Sequence, residues 1–399
     1  MLLFLIEQLS LLGYKVPIVF SNVSTRLLFS ALTALLFTIF LGPRYIKKLY
    51  EMKTGQSIRV EDCPMLAELH EKKKNTPTMG GILILSAMLS SLVLWMDLRS
   101  SFTLILCITT VGLGLIGGYD DYLKLKYKNS KGLPAKKKFL LQILLAALIG
   151  VYTLVPHAAE KIQVGSWFKP PVAKEQVQDV KPVTLKTDEY MTQYYVPFFK
   201  DPVFILKGAL VAAAFFITLF VFVGTSNAVN LTDGLDGLAA GCVVLVSCIL
   251  GLVAFLSNNV EIAKYLNMLY IDGSGEIAIY LFAMMGACLG FLWYNGYPAQ
   301  IFMGDTGSLA LGGILGASAI LMRKEGLLAL VGGIFVAEAI SVILQVGSYK
   351  LRNKKRIFLC APLHHHFEYM GWPETKVVLR FWLFGLILAV IGLFSLKLQ

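Results

Sequence analysis

Ten apolar runs, most of them about as long as a membrane-spanning helix, dominate this chain. A span needs about 20 mostly apolar residues, because a helix rises only ~1.5 Å per residue across a hydrocarbon core of ~30 Å. Inside a bilayer every backbone polar group must find a partner within the protein, so runs of this length are predicted to form helices. The predicted spans are residues 24–42, 80–97, 102–119, 139–156, 203–223, 238–256, 277–294, 307–322, 327–347 and 379–397.

The composition supports the same fold class, an all-α polytopic membrane protein. Of the 399 residues, 56% are hydrophobic and 15% charged, whereas a soluble domain carries about 25% charged residues. No segment has the composition of a separate soluble domain, so residues 1–399 are predicted to form one integral-membrane domain. The start of the chain lacks the basic region and cleavage site of a signal peptide. The six cysteines form no Cys-x-x-Cys pair, so neither a disulfide framework nor a zinc site is indicated.

Lysine and arginine are concentrated in alternate loops, and this predicts the orientation. The loops after the first, third and ninth spans are rich in both residues, whereas the short loops on the other side carry only a few. Cytoplasmic loops carry such an excess, so both termini are predicted to lie outside the cytoplasm. The net charge of +11 then reflects topology and contact with headgroups or phosphates, and nucleic acid is not an expected partner. Residues 157–202 become a long external loop, in which the alternation at Val180–Leu185 is typical of a short hairpin.

The loop between the fifth and sixth spans, residues 224–237, is unusually polar for its position. Polar groups at the end of a span are costly to desolvate, so a cluster of them indicates a functional site. A helix cap at Thr232 or Asp233 would explain one such residue, but not two asparagines and two aspartates. These are Asn227, Asn230, Asp233 and Asp236.

Two adjacent carboxylates, Asp120 and Asp121, end the third span. Neighbouring residues on a helix point about 100° apart, so the pair cannot act as a symmetric clamp. We expect one to face a metal or a nucleophile and the other to orient a lysine or a backbone group. A carboxylate at a helix C-terminus opposes the helix dipole, so a cation is expected beside the pair. Lys124, Lys126 and Lys128 are the nearest in sequence.

The loop between the seventh and eighth spans holds a further aspartate, Asp305, between Gly304 and Gly307. Mg²⁺ in proteins takes one or two carboxylates together with phosphate oxygens, so Asp305 is a candidate magnesium ligand. Asn295 and Phe302, in the same loop, offer a hydrogen-bonding group and an aromatic face for a base.

Two more predicted cytoplasmic loops carry polar motifs. Thr76–Gly81 opens the second span, where the free N–H groups of a helix start can hold an anion. His364, His365 and His366 lie in the last loop, and three consecutive histidines cannot all bind one metal from a regular backbone. Phosphate binding or proton transfer is therefore favoured for them. Together the loops provide the groups for Mg²⁺-assisted phosphoryl transfer from a soluble donor to a lipid phosphate.

Five of these motifs, in this order along the chain, resemble those of the MraY family. They are Thr76–Gly81, Asp120–Asp121, Asn230–Gly237, Phe302–Ser308 and Pro362–Glu368. The family comprises the phospho-N-acetylmuramoyl-pentapeptide transferases of bacterial peptidoglycan synthesis, within the polyprenyl-phosphate N-acetylhexosamine-1-phosphate transferases. The resemblance implies transfer of phospho-MurNAc-pentapeptide from UDP-MurNAc-pentapeptide to undecaprenyl phosphate, giving lipid I and UMP, with Mg²⁺. It also implies a homodimer in the bacterial inner membrane, with periplasmic termini and the catalytic cleft on the cytoplasmic face. The 157–202 periplasmic loop insertion is longer than expected for the family.

The resemblance also assigns roles to individual residues. It implies a catalytic set in which Asp305 binds Mg²⁺ and one of the adjacent aspartates is a candidate base: Asp120, Asp121, Asp305 and His364. It implies donor-site contacts, including the uridine, sugar and diphosphate sites: Lys73, Thr78, Asn230, Asp233, Asp236, Asn295, Phe302, His365 and His366. It suggests contacts to the lipid phosphate: Lys128 and Lys136.

Two other functions and two mechanistic questions stay open at this point. The same fold serves enzymes that use UDP-GlcNAc, although Pro362–Glu368 favours the muramoyl-pentapeptide donor. An ion-coupled transporter would place its carboxylates near the bilayer midplane and often shows internal repeats, whereas here they fall at span ends on one face. A phosphate monoester has its second pKa near 6, so charge neutralisation is an alternative to a strong general base. Direct attack and a phospho-enzyme intermediate both fit the sequence.

Overall fold

The computed structural model describes residues 2–14, 17–52, 76–127, 132–155, 173–175, 183–185 and 187–398. Within these residues, nine helices are long and apolar enough to cross a membrane, so the chain is an all-α polytopic membrane protein. The helices are α1 (Leu2–Leu11), α2 (Val23–Glu51), α3 (Gly80–Trp95), α4 (Ser101–Tyr127), α5 (Ala135–Leu154), α6 (Thr187–Tyr190), α7 (Val211–Thr232), α8 (Leu238–Ser257), α9 (Val260–Tyr265), α10 (Gly275–Asn295), α11 (Gly304–Met322), α12 (Glu325–Val331), α13 (Gly333–Leu351), α14 (Leu363–Tyr369) and α15 (Glu374–Lys397). The strands are β1 (Ala173–Glu175), β2 (Val183–Leu185), β3 (Gln193–Tyr194), β4 (Phe204–Ile205) and β5 (Tyr270–Ile271).

A helix coincides with each of the ten predicted spans, and the main differences concern three of them. Helix α3 has only 16 residues, at the short end for a span. The span predicted at 203–223 starts later, because residues 204–205 pair as a strand and α7 begins at Val211. The span predicted at 327–347 is divided into α12 and α13 at Gly332, where two adjacent glycines weaken the helix.

Helix α11 is the centre of the bundle. Its apolar stretch is 94% buried inside the protein, whereas that of α7 is only 22% buried and faces outwards. Small residues allow this central position, since they let neighbouring backbones approach closely. A side chain at Gly312 would begin 2.5 Å from the carbonyl oxygen of Thr225 in α7. The first turn of α11 carries Asp305, so the most enclosed helix of the bundle positions that carboxylate.

Helices α2 and α10 run parallel and fix the opposite end of the bundle. Arg26, near the start of α2, donates from Nη2 to both carboxylate oxygens of Glu276, at 2.7 and 2.9 Å. The same arginine donates from Nε to the carbonyl of Trp95 at the end of α3, and Glu276 accepts from the Asp97 N–H. Because both charged groups are buried and paired, the ends of three helices are tied together here.

Two small antiparallel sheets accompany the helices. One has the order β2-β1-β5, with Ala173 opposite Leu185, and the other pairs β3 with β4. The hairpin predicted at residues 180–185 lies partly outside the described residues, and its described part is β2. The membrane side that each end of the bundle faces stays a prediction.

Candidate functional site

Two loops pair through their backbones and bring the starts of α3 and α11 together. The N–H of Phe302 donates to the carbonyl of Pro77, and the N–H groups of Gly80 and Gly81 donate to the carbonyls of Phe302 and Met303, each at 2.8 Å. The N–H groups of these two glycines are therefore engaged within the protein. The expectation that they would be free to hold an anion is wrong for this structure.

Glycines at this junction allow backbones to touch. A side chain on Gly81 would begin 2.8 Å from the carbonyl carbon of Thr306, and one on Gly117 would begin 2.5 Å from the carbonyl carbon of Asp305. Carbon atoms in good contact lie 3.5–4.0 Å apart, so any larger residue would push α3 or α4 away from α11. Gly117 thus sets the distance between the Asp120–Asp121 pair and Asp305, and Gly81 sets the distance between α3 and α11.

Asp121 caps the start of α11 from a different helix. Its buried carboxylate accepts hydrogen bonds from the backbone N–H of Asp305 at 3.1 Å and of Thr306 at 2.9 Å, and from the Thr306 hydroxyl at 2.7 Å. The first N–H groups of a helix have no partner within it, and a carboxylate there also meets the positive end of the helix dipole. Asp121 therefore orients backbone groups at the start of α11, which is one of the tasks that the sequence predicted for a member of the pair.

The carboxylate of Asp305 is surrounded by donors from three other helices. Asn230, in the last turn of α7, donates to Oδ1 at 2.9 Å and is itself 2.8 Å from the hydroxyl of Ser308. Lys124 of α4 donates to Oδ2 at 3.0 Å, and Lys138 of α5 donates to the same atom. Helices α4, α5, α7 and α11 thus converge on one carboxylate group.

Asp120 faces the same lysines. Its Oδ2 lies 2.7 Å from Nζ of Lys124 and 3.7 Å from Nζ of Lys138, while Oδ1 accepts from the backbone N–H of Leu133 at 2.6 Å. The turn before Leu133 contains Gly132, which has φ +53° and leaves no room for a side chain beside Asp120. The cation expected beside the aspartate pair is present, and Lys124 is one of the residues that provide it.

The three aspartates form a cluster that can hold a metal ion. One carboxylate oxygen from each of Asp120, Asp121 and Asp305 lies within 4.8 Å of the others. Carboxylate oxygens are the ligands that hard divalent cations prefer. Two lysine ammonium groups already occupy positions beside these oxygens, so the donor set attracts positive charge in this structure.

The turn after α7 lies beside this cluster. Asp233 is half-buried and accepts a hydrogen bond from the backbone of Gly304; burial, reinforced by the charges of Asp305 and Asp121, raises its pKa to about 8. Asp236 is buried and accepts from the N–H of Ala299 at 2.9 Å.

Asn295 is engaged within the protein at both ends of its side-chain amide. It accepts from the N–H of Gly237 at 3.0 Å and donates to the carbonyl of Ile301 at 2.8 Å. Together with Asp236, it joins the 233–237 turn to the loop that leads into α11. Substrate contacts of both residues stay predictions.

The histidines lie on the other side of the same turn. His364 is fully buried, and a side chain on Gly234 would begin 2.9 Å from its Cε1 atom. Glu338 of α13, also fully buried, accepts from the backbone N–H groups of Leu363 and His364 at 2.7 and 3.1 Å. Its Oε1 lies 3.2 Å from Nδ1 of His364. Glu338 therefore caps α14 as Asp121 caps α11.

The next two histidines have separate partners. Nδ1 of His365 lies 2.7 Å from the carboxylate of Glu368, and Nδ1 of His366 accepts from the backbone N–H of Leu359 at 3.2 Å. The three histidines therefore have different partners.

An open groove of about 440 Å³ begins beside the cluster, between α5 and α7. Lys136, Lys138, Phe139 and Asn227 are among the residues that line it. Lys136 is exposed there and does not reach the aspartates, whereas Lys138 does. A groove with lysines at its mouth and an apolar wall suits a lipid with an anionic headgroup.

The remaining predicted residues are Thr78, Phe302, Lys73 and Lys128. Thr78 is buried with its hydroxyl against Gly304, and Phe302 is half-buried with both backbone groups paired to the 77–81 segment. Lys73 and Lys128 lie outside the described residues. Most of the predicted loop motifs thus meet at one end of the bundle.

Sequence reasoning missed Lys138, Ser308, Thr306 and Glu338 as members of the site. Lys138 belongs to the basic loop that follows the third predicted span, and the sequence gives the sign of its charge but not the group that it contacts. Glu338 left a usable signal, since it is the sole charged residue in the predicted span 327–347. An acidic residue inside a span is a functional hypothesis by default.

Comparison with known proteins identifies the class of protein to which this fold belongs. Residues 103–323, from α4 to the end of α11, match the model of glycosyl transferase family 4. Residues 73–85, which contain the Thr76–Gly81 motif, match signature 1 of the phospho-N-acetylmuramoyl-pentapeptide-transferases. The fold and the aspartate cluster thus belong to a membrane-embedded transferase.

Two similar proteins identify the family of transferases to which the chain belongs. Over 413 aligned residues, covering all of both chains, the protein is 63% identical to the phospho-N-acetylmuramoyl-pentapeptide-transferase of Protochlamydia amoebophila (strain UWE25). It is 45% identical to the enzyme of that name from Thermodesulfovibrio yellowstonii, covering 96% of this chain and 95% of the relative. The chain belongs to the phospho-N-acetylmuramoyl-pentapeptide-transferase family.

Proposed function

We propose that this protein transfers phospho-MurNAc-pentapeptide from its UDP carrier to undecaprenyl phosphate, releasing UMP and forming lipid I. The observation that carries the proposal is the convergence of Asp120, Asp121 and Asp305 with two lysines beside an apolar groove. In the reaction an oxygen of the lipid phosphate forms a bond to the sugar-bearing phosphorus of the donor. The bond from that phosphorus to the oxygen bridging to UMP breaks.

We propose Asp305 as the principal Mg²⁺ ligand. Its Oδ2 and that of Asp120 share the ammonium group of Lys124 at 3.0 and 2.7 Å, so this pair of oxygens is already arranged around one cation. Bound Mg²⁺ would neutralise the charge of the donor diphosphate. Asn230 holds Oδ1 of Asp305 in place, and Asp121 holds the backbone beneath it.

Lys124 and Lys138 have a second role in this proposal. Once a metal or a phosphate occupies the cluster, their ammonium groups become available for the phosphate oxygens of the two substrates. Lysine acts here as a mobile point charge on a flexible stem, which suits a change of partner. The lipid phosphate is mostly dianionic at neutral pH, so positioning and charge neutralisation are proposed as the main tasks of the site.

The groove between α5 and α7 is proposed to hold the lipid substrate. Lys136, at the mouth of the groove, and Lys128 are proposed to contact the lipid phosphate. The donor is proposed to lie between the cluster and the histidines. There Asp233, Asp236, Asn295, Phe302, Lys73 and Thr78 would contact or position the uridine and the phosphates, and His364, His365 and His366 would contact the diphosphate or the sugar. The cluster end of the bundle would then face the cytoplasm, and the enzyme would act as a homodimer in the inner membrane.

UMP release tests the proposal directly. The purified protein would be offered undecaprenyl phosphate, Mg²⁺ and either UDP-MurNAc-pentapeptide or UDP-GlcNAc. We expect UMP only with the pentapeptide donor, and none from Asp305→Asn. Asp272→Asn, at an exposed turn before α10, is the matched control.

The other outcomes separate the alternatives. UMP only with UDP-GlcNAc would keep the chemistry and change the donor. No UMP with either donor, from wild-type protein that melts cooperatively, would refute the transferase proposal for this chain.

A further inference from the structure

A β-hairpin stands at the end of the bundle opposite the aspartate cluster. Its strands β3 and β4 pair antiparallel, with Tyr194 opposite Phe204. Two further bonds extend the pairing, from Val203 N–H to the Tyr194 carbonyl at 2.9 Å and from Leu206 N–H to the Thr192 carbonyl at 3.0 Å. The pairing thus joins residues 192–194 to residues 203–206, and residues 195–202 form the loop between them.

The root of the hairpin is fixed to the last turn of α11. The hydroxyl of Tyr190 donates to the carbonyl of Leu321 at 2.9 Å. Arg323, which is 1% exposed, donates from Nε to the Gln193 carbonyl and lies 4.3 Å over the ring of Tyr194. Helix α11 has its aspartate in the first turn, so the hairpin stands a helix length, ~28 Å, from the cluster.

Beyond this root the hairpin exposes mostly apolar side chains. Phe199 is 59% exposed and Phe204 is 60% exposed. Both residues of β4 are exposed, whereas both residues of β3 are buried against the bundle. The exposed large hydrophobic residues of the segment are Val196, Phe198, Phe199, Val203, Phe204, Ile205 and Leu210. Apolar area exposed to this extent suits burial among acyl chains.

Phe198 adds an independent observation. Its φ is +73°, a left-handed conformation that costs free energy for any residue with a Cβ and that glycine or asparagine adopts more readily. The side chain is 45% exposed, so burial within the chain offsets little of this cost. Strained backbone of this kind is found most often at functional and ligand-binding sites, so it supports a functional role for this turn.

The patch continues into a surface that faces lipid. Phe216 and Phe220, on the outer face of the spanning helix α7, are among the most exposed phenylalanines of the described residues. On its other side the hairpin lies against the start of the apolar helix α12, where Gly326 leaves room for Tyr195 and Pro197. The hairpin therefore lies level with the ends of the membrane helices.

We propose that the segment Val196–Ile205 is immersed at the boundary between headgroups and acyl chains, and that its partner is anionic phospholipid. Binding at this boundary is driven by the apolar area that is buried and by attraction to anionic headgroups, and the headgroup region still offers water to the backbone groups of the loop. Lys200 and Lys207, both exposed, can place their apolar stems among the acyl chains and their ammonium groups among anionic headgroups.

Site-specific photocrosslinking tests this proposal. The photoreactive residue p-benzoylphenylalanine would replace Phe199 or Phe204 in the full-length protein, or Asp272 as a control at an exposed turn of the same end. Each variant would be reconstituted into vesicles of phosphatidylethanolamine and phosphatidylglycerol, irradiated and analysed by mass spectrometry. A melting curve of each variant in detergent checks that it is folded.

We expect lipid adducts at positions 199 and 204 at several times the yield at position 272, and a higher yield at 199 when the phosphatidylglycerol fraction rises. Adducts to a second copy of the chain would overturn the proposal in favour of an interface between copies. Lipid yields at 199 and 204 no higher than at 272 would overturn it in favour of a water-exposed hairpin.

Discussion

Two neighbouring glycines in α4 allow a sharp test of how the site is positioned. A methyl group at Gly117 would begin 2.5 Å from the carbonyl carbon of Asp305 and 2.7 Å from the amide nitrogen of Thr306. A methyl group at Gly118 would meet nothing closer than the Thr306 hydroxyl, at 3.6 Å. Both changes replace glycine by alanine in the same helix, so their effects on helix propensity are alike.

The expected cost of Gly117→Ala follows from these distances. Carbon atoms in contact need about 3.5 Å, so the backbones of α4 and α11 must separate by roughly 1 Å. Overpacking of this kind costs about 1–3 kcal/mol of stability. A displacement of about 1 Å at a reacting group costs on the order of 10²-fold in rate. Gly117→Ala is therefore expected to fold and to release UMP about a hundred times more slowly than wild type.

The assay is the initial rate of UMP release at saturating donor and lipid, with a detergent melting curve for each variant. Gly118→Ala should keep a rate within about threefold of wild type, because its contact is ordinary. If both variants melt near the wild-type temperature and release UMP at the same rate, the reasoning that backbone contact at Gly117 sets the position of Asp305 is refuted.

Three further changes test other contacts of the site. Asp121→Ala removes the cap of α11 and should cost roughly 3–5 kcal/mol of stability, visible as a large fall in melting temperature; an unchanged melting temperature would contradict the capping role. Glu338→Ala leaves two buried N–H groups of α14 without their acceptor, and kcat/KM for the donor should fall by about tenfold or more; normal kinetics would contradict it. Lys138→Met removes one counter-charge from the carboxylates, so the melting temperature should fall by a few degrees in EDTA. Mg²⁺ should restore the melting temperature, because the bound cation replaces that charge. The exposed Lys136→Met is the matched control and should show no such dependence on Mg²⁺.

The sequence predicted the helices well because the length of an apolar run is a local property. The prediction was wrong at residues 203–210, which were assigned to a span because they are as apolar as one. There β4 pairs with β3, and a pairing between two segments of two residues each leaves no periodic signal. The division at Gly332 was equally invisible, since a glycine pair inside an apolar run is compatible with one helix or with two.

The candidate site was predictable in its residue types more than in its contacts. Different roles for Asp120 and Asp121 followed from the 100° between adjacent helical positions. The structure gives the two carboxylates different partners, the start of α11 for Asp121 and two lysines for Asp120, and which of them faces a metal or a nucleophile stays a prediction. The target of Asp121 did not follow, because the N–H groups that it caps are 184 and 185 positions away in sequence. The resemblance implied substrate contacts for Asp236 and Asn295; the structure shows that their side chains join two loops, and the substrate contacts stay predictions.

The caps of α11 and α14 have a common physical cause. Each helix starts inside the protein, where water cannot satisfy its first N–H groups, so a carboxylate from another helix does so: Asp121 from α4 and Glu338 from α13. Each capped turn also carries a residue proposed to act on substrate, Asp305 or His364. The position of these groups is therefore set by packing between helices rather than by local loop conformation. It follows that activity should be sensitive to carboxylates and glycines that touch no substrate, and Gly117 and Glu338 are the two positions where that sensitivity is most open to measurement.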